Sequence, residues 1–335
     1  KLCTKMTKIV KIEKNGGPEV LKIETVTLGK PNSEEVQIEQ KAIGLNFIDI
    51  NMRVGAYNLQ AFAPGSQAPY ILGMEASGEV ESVGKEVNGF KVGDRVAHCM
   101  NLGSYSEIMN IPADRLILIP SDISYEVAAA STLQGLTAHY LVNELWKIKK
   151  SQTVLIHSAA GGVGILLCQW ARHIGATVVG VVSTKEKSKY VKSFGCDYTI
   201  VSTEENFVDR VKELTNGRGV DVIYDAVGKD TFLDGLECLA SRGRIISYGV
   251  SSGPIEPLNI NLLRPLSASI ACGGLLTFTK DPVERAKNAT ELFSLISKGV
   301  LKIEINQRYK LKDINQAHIE LAGRLTRGSS IIIPD

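Results

Sequence analysis

Thr153-Val-Leu-Ile-His157-Ser158-Ala159-Ala160-Gly161-Gly162-Val163-Gly164 is the stretch on which the fold turns. Its first half is a short apolar run of the kind buried as a parallel strand. Its second half is made of small residues and matches G-x-G-x-x-G, with Ala159, Gly161 and Gly164 in the three glycine places. Behind it, Val163, Leu166, Leu167, Trp170, Ala171 and Ile174 recur as one face of a helix over 163–174, and Gly175 offers a C-terminal cap. A strand, a tight small-residue turn and a helix N-terminus suit a pyrophosphate, because amides approach the anion closely and the helix end adds partial positive charge. A glycine run alone is weak. Its place between strand and helix favours a dinucleotide site over a merely structural turn.

Beyond this stretch, strands are expected at 176–182, 198–201, 220–224 and 244–248, and helices at 185–194 and 205–214. That alternation means parallel βαβ units with right-handed crossovers, an α/β doubly wound sheet. The first ~130 residues read differently. Short β-type runs at 8–12, 35–42 and 78–83 are punctuated by turns such as Asn15-Gly16-Gly17-Pro18, and Gly93-Asp94-Arg95-Val96 reads as a turn entering a strand. This suggests an antiparallel, strand-rich barrel. A charged amphipathic helix over 281–298 leads to a tail ending in Ser330-Ile-Ile-Ile333, expected to fold back onto the first module. The domains are placed at 1–134 (strand-rich, first part), 135–270 (nucleotide-binding) and 271–335 (return segment).

The 335 residues are 44% hydrophobic and 22% charged, with a net charge of +2, enough for two cores and too neutral for a nucleic-acid or anionic-membrane partner. No apolar run reaches the ~18 residues of a membrane span. Residues 1–10 lack the pattern of a secretory signal. The chain does not begin with Met; Met6 as the natural start and added leading residues are the two readings. Cys3, Cys99, Cys168, Cys196, Cys238 and Cys272 are scattered, which suits reduced, mostly buried thiols in a cytoplasmic enzyme.

An NAD site usually places an acid ~20 residues after the glycines. Here the second strand ends Val181-Val182-Ser183, and Lys187 follows one helical turn later. A hydroxyl and an ammonium favour a 2′-phosphate, hence NADPH; a solvated helix start is the plainer reading of Lys185 and Lys187.

Gly44-Leu45-Asn46-Phe47-Ile48-Asp49, Gly73-Met74-Glu75 and Gly93-Asp94-Arg95-Val96 resemble the medium-chain dehydrogenase/reductase superfamily. Its zinc alcohol dehydrogenases carry Cys at the place of Asn46, His at that of Met74, and a four-cysteine lobe that has no counterpart here. Asn and Met are not a zinc set, so no metal is expected. Within the superfamily the chain is most similar to the NADPH:quinone oxidoreductases, the group that includes zeta-crystallin. The similarity rests on Ser151-Gln152-x-x-Leu155-x-x-x-Ala159-Ala160-Gly161-Gly162-x-Gly164-x-x-x-x-Gln169-x-x-Arg172. Gly55-Ala56-Tyr57, Gln134-Gly135-Leu136-Thr137-Ala138 and Gly328-Ser329-Ser330 add to it.

The resemblance implies a Rossmann domain beside a GroES-like barrel, and roles for particular residues. Asn46 lines the cleft near the nicotinamide, with Thr137 and Tyr140 beside the cofactor. Ala160, Gly161, Gly162, Val163 and Gly164 take the pyrophosphate. Ser183 and Lys187 take the 2′-phosphate, and Ser202 lies at the adenine end. Gly249 and Ser252 follow a later strand, Ala271, Cys272 and Gly273 hold the carboxamide, and Arg324 closes over the phosphates. Bacterial quinone reductases carry Tyr at the places of Asn51 and Ser202, which leaves quinone selectivity open and removes stacking surface at the adenine.

Without a metal, hydrogen-bond donors must stabilise the oxyanion that forms as hydride reaches a conjugated carbonyl, and Asn46 and Tyr57 are the candidates. For Asn46 the plainer role is satisfying a turn; for Tyr57 it is capping the cleft. A 2-enoyl thioester reductase with Tyr57 as proton donor is the alternative activity, and a non-catalytic cofactor-binding protein the alternative class. A homodimer is expected through the edge of the cofactor sheet at 267–272.

Overall fold

The computed structural model describes residues 4–335. Two compact units result: one of residues up to Leu136 with Thr279–Ser297 and Ile303–Asp335, the other of Thr137–Phe278 with Lys298–Lys302.

The first unit opens with β1 (Lys5–Ile12), β2 (Lys22–Leu28) and β3 (Glu35–Leu45), then α1 (Phe47–Val54). It continues through β4 (Tyr70–Ile71), β5 (Glu75–Val83), β6 (Arg95–Cys99), β7 (Ile108–Pro112) and β8 (Ile117–Leu118) to α2 (Tyr125–Ala129) and the start of α3 (Thr132–Tyr140). β3 is the spine. It pairs antiparallel with β5 and β7, and it carries two register shifts against β5, the bulges that let a long strand bend. Val36, Ile38, Val80, Val96, Met109 and Ile111 fill the core over it. α1 interrupts a module whose run of strands announced no helix.

The second unit is a six-stranded, wholly parallel sheet. In chain order it holds β9 (Thr153–Ile156), α4 (Gly162–Ile174), β10 (Thr177–Val182), α5 (Lys185–Lys192), β11 (Tyr198–Val201), α6 (Phe207–Leu214), β12 (Val220–Asp225), α7 (Phe232–Gly235), β13 (Leu239–Ser247), β14 (Ser269–Cys272) and α8 (Leu275–Phe278). The strand order β11-β10-β9-β12-β13-β14 reverses direction beside β9. The turn after β9 therefore sits at the topological switch point, where such sheets bind ligands at their carboxyl ends. Leu155, Val179, Ile200, Ile223 and Ile245 form the buried layer. α6 starts later than its periodicity suggests, because the Asn206 side chain accepts from Val208 and Asp209 N–H and caps it there.

The chain then returns to the first unit through α9 (Pro282–Ser297), β15 (Ile305–Lys310), α10 (Ile314–Ala322) and β16 (Ser329–Ile333). β16 pairs antiparallel with β3, so the tail closes onto the strand-rich module. Cys99, Cys168, Cys196 and Cys238 are buried thiols and Cys272 is exposed, while Cys3 lies outside the described residues.

Candidate active site

In the second unit, Ser158 takes a left-handed conformation (φ 54°) and starts the turn. Gly161 N–H closes it on the Ser158 carbonyl at 3.0 Å, and Ala159 N–H anchors it to the Val181 carbonyl at 3.1 Å. A Cβ on Gly164 would lie 2.4 Å from the Ser158 oxygen and 2.8 Å from Ala159. Only a bare backbone lets α4 come this close to the turn. Ala159 itself is admitted because Gly180 faces it, and a Cβ there would meet the Ala159 Cβ at 2.9 Å. Ala160, Gly161, Gly162, Val163 and Gly164 thus present the first turn of a 13-residue helix, whose leading N–H groups have no intrahelical acceptor. This cradle fits a pyrophosphate.

Several other residues assigned to the cofactor follow the carboxyl ends of strands in this unit. Ser183 directly follows β10, and Lys187 stands in the first turn of α5, its N–H on the capping Thr184 hydroxyl at 3.2 Å. No acid occupies the end of β10. Ser202 follows β11 and gives its hydroxyl to the Val182 carbonyl at 3.2 Å. Gly249 follows β13. Ser252 is a loop fastener, donating to the Val227 carbonyl at 2.8 Å and accepting from Asp230 N–H at 3.1 Å. Ala271 and Cys272 end the edge strand β14, and Gly273 follows it. Tyr140 is buried, stacked on Phe278 with centroids 4.3 Å apart, and its hydroxyl holds the Gly273 carbonyl at 3.2 Å. Thr137, on α3, is buried.

In the first unit the registers assemble a second cluster. β16 sets Ser330 opposite Leu45, and β5 sets Ala76 opposite Ile43. Asn46, Glu75 and Ser329 are thereby neighbours at one end of the sheet, and α3 adds Gln134. Asn46 Nδ2 donates to Glu75 Oε2 at 2.8 Å, and Gln134 Nε2 donates to Asn46 Oδ1 at 3.1 Å. Ser329 Oγ lies 2.7 Å from Gln134 Oε1, and Leu133 N–H donates to Glu75 Oε1 at 2.6 Å. One Asn46 amide N–H keeps no protein partner among the described residues. The Asn46 backbone N–H donates to Asp49 Oδ2 at 2.9 Å, fixing the start of α1. Behind Asp49 runs a buried line: the Tyr105 hydroxyl donates to Asp49 Oδ2 at 3.0 Å and meets His318 Nε2 at 3.0 Å, and Arg53 reaches His318 Nδ1 at 3.0 Å.

Burial governs this electrostatics. It pushes Asp49 up to about 7 and Glu75 up to about 8, and it pulls His318 down to about 3 with the Arg53 charge beside it. Tyr57 is half-buried and follows α1 by a turn in which Gly55 takes φ 85°. Arg324 is exposed, on the loop between α10 and β16. Glu75, Gln134 and Ser329 stand inside the motifs that marked the chain, without having been assigned a role there. Nothing local marks Tyr105 or His318.

Against known proteins, the chain is 43% identical to the quinone oxidoreductase of Salmonella typhimurium over 97% of its own length and 99% of the relative's. It belongs to the quinone oxidoreductase family. The quinone oxidoreductase of Escherichia coli, solved in complex with NADPH, superposes with a TM-score of 0.93 at 42% identity, covering 98% of this chain and all of that one. A Burkholderia 2-haloacrylate reductase is 38% identical over 96% of this chain and 98% of its own. Residues 32–121 match the alcohol dehydrogenase GroES-like domain, and residues 162–294 match the zinc-binding dehydrogenase family. The residues of this quinone oxidoreductase relative do not fit zinc. Asn46 and Met74 supply neither thiolate nor imidazole, the Asn46 amide is engaged by Glu75 and Gln134, and no group of three His, Cys, Asp or Glu suited to a metal occurs among the described residues.

Proposed function

We propose that this chain is an NADPH-dependent, zinc-independent oxidoreductase that reduces quinones and related conjugated carbonyls. The observation that carries the reading is the glycine cradle at the switch point followed by Ser183 and Lys187, with no acid at the end of β10. Ser183 and Lys187 hold the 2′-phosphate, residues 160–164 the pyrophosphate, and Ser202 borders the adenine. Gly249, Ser252 and residues 271–273 border the nicotinamide end, with Thr137 and Tyr140 beside it. Arg324 covers the phosphates. NADPH, when bound, supplies the hydride. The open Asn46 N–H and the Tyr57 hydroxyl stabilise the oxyanion of the acceptor. A quinol takes its protons from water, so no strong general acid is required.

Steady-state assays with 1,4-benzoquinone test this. NADPH is expected to exceed NADH by about tenfold or more in kcat/KM, the worth of a charge-assisted phosphate contact. Equal use of both coenzymes overturns the cofactor assignment, and no NADPH oxidation with any quinone or enone leaves the non-catalytic reading. The 2-haloacrylate reductase among the relatives favours keeping enoyl thioesters as a second acceptor class. Tyr57→Phe separates the two, abolishing enoyl reduction if Tyr57 is the proton donor and only weakening quinone reduction.

The assembly we propose is a cytoplasmic homodimer joined along β14, an edge strand that leaves Ile270 partly exposed. A monomeric mass in light scattering would rule that out. Among the described residues no helix is long and apolar enough to cross a membrane.

A further inference from the structure

Ser329 Oγ lies 3.0 Å from the Ala130 carbonyl and 2.7 Å from Gln134 Oε1. A hydroxyl has one proton and donates to one of them. Asn46 and Gln134 are amides, and turning each by half a revolution exchanges donor for acceptor without changing its shape. The line Glu75–Asn46–Gln134–Ser329 therefore has two complete hydrogen-bond arrangements. With Glu75 ionised, Asn46 Nδ2 donates to Glu75, Gln134 Nε2 to Asn46 Oδ1, and Ser329 to Gln134 Oε1. With a proton on Glu75 Oε2, every bond reverses. Glu75 donates to the Asn46 carbonyl oxygen, Asn46 to the Gln134 oxygen and Gln134 to Ser329 Oγ, while the hydroxyl turns to Ala130. Leu133 N–H stays on Glu75 Oε1 in both.

We infer that Glu75 is a positioning residue: its proton decides which way the Asn46 amide faces, and so which edge of that amide offers an N–H to the acceptor. The inference rests on the reading that Asn46 faces the acceptor. The cavity is built for this carboxyl. A Cβ on Gly44 would come within 2.3 Å of Glu75 Oε2 and 2.4 Å of the Ala129 carbonyl, so only glycine leaves room for it. The titratable groups that bear on Glu75 are Asp49 from α1 and the Cys99 thiol from β6, on which Arg285 of α9 also acts. Burial raises Glu75 to about 8, so both arrangements lie within reach of ordinary buffers.

The protonated arrangement is the productive one. A proton donated into Asn46 Oδ1 polarises the amide and strengthens its remaining N–H, whereas a carboxylate behind Asn46 repels the oxyanion. Wild-type kcat for quinone reduction should therefore fall as pH rises above about 8, roughly tenfold per unit. Glu75→Gln fixes the protonated arrangement, since its amide accepts from Leu133 and donates to Asn46. Its kcat should lack the alkaline limb and exceed wild type at pH 9.5, with KM for NADPH unmoved. Gln134→Glu presents only acceptors to Asn46 and Ser329 and should shift the wild-type limb to higher pH by about one unit.

Thermal melts accompany each assay. If Glu75→Gln melts like wild type yet keeps the alkaline limb, or is inactive at every pH, the inference fails. If Glu75→Gln does not fold, an unmoved limb in Gln134→Glu overturns it. Asn46→Ala with wild-type kcat would instead overturn the assignment of Asn46 itself.

Discussion

The phosphate turn after β9 and the Asn46 cluster are opposite solutions to the same task of placing N–H groups where charge will sit. The turn is built from backbone, and its working feature is the atoms it lacks: a Cβ at Gly164 has no room beside the Ser158 oxygen. The cluster is built from side chains at the start of α1 and on β5, α3 and β16, each held by the next. A backbone site is written in a few adjacent residues and is rigid. A side-chain site needs long-range registers to exist at all, and in return it keeps a proton whose position can change.

The contrast breaks most readily at the turn. Gly164→Val should raise the NADPH Kd by about 100-fold or more, since the helix start must retreat from the pyrophosphate. Titration calorimetry reads this directly. A Kd within a fewfold of wild type would make the turn a structural one. The counterpart in the cluster is Gly44→Ala, which crowds Glu75 and should cost about 1–3 kcal/mol of stability. It should lower kcat and leave the NADPH Kd alone, and an effect on that Kd would show that the two sites are not independent in the way their construction suggests.

The same difference explains what was legible beforehand. Residues 153–175 announce strand, turn and helix through neighbours alone, because a helical stripe and a buried strand are periodic signals. Asn46 was legible as a candidate only through the motif around it, and its partners were not. Glu75 is only the end of the Gly73-Met74-Glu75 motif until the β3–β5 register sets it beside Gly44, and Ser329 only the middle of Gly328-Ser329-Ser330 until β16 pairs with β3. Tyr105 and His318 meet across 213 positions of chain, a separation over which no spacing rule operates. α1 was missed because a short helix between strands has too few turns to show a period, and Asp49, which fixes its first turn, is legible as a cap only once the helix is known.

On the cofactor side a smaller effect is expected at Lys187. Lys187 contributes charge rather than shape, so Lys187→Ala should reduce kcat/KM for NADPH by about tenfold and leave NADH unaffected. The ratio of the two coenzymes is the measurement. Equal losses for both would mean that Lys187 serves α5 and not the 2′-phosphate.

The smallest expected change tests whether the cluster stores charge at all. Asp49 is raised from 3.8 to about 7 by burial, so the folded chain holds a proton that the unfolded chain releases. Its contribution to stability is complete below about pH 4 and is lost as pH rises through 7, and Glu75 acts in the same direction up to about 8. The buried histidines act oppositely: His318, His98 and His157 are all lowered from 6.5 by burial, so each costs stability as pH falls below 6.5. Asp49→Asn cannot ionise, so the stability that wild type loses through Asp49 from pH 6.5 to 8.5, about 1 kcal/mol, should be absent in the variant. Burial outweighs the hydrogen bonds from Asn46 N–H and the Tyr105 hydroxyl, which favour the ionised form. Denaturant titrations at the two pH values measure that loss. An unchanged slope would mean that Asp49 is already ionised at pH 6.5, which would place a fixed negative charge beneath the Asn46 turn and leave Glu75 as the one carboxyl of the pair whose proton is exchangeable near neutrality.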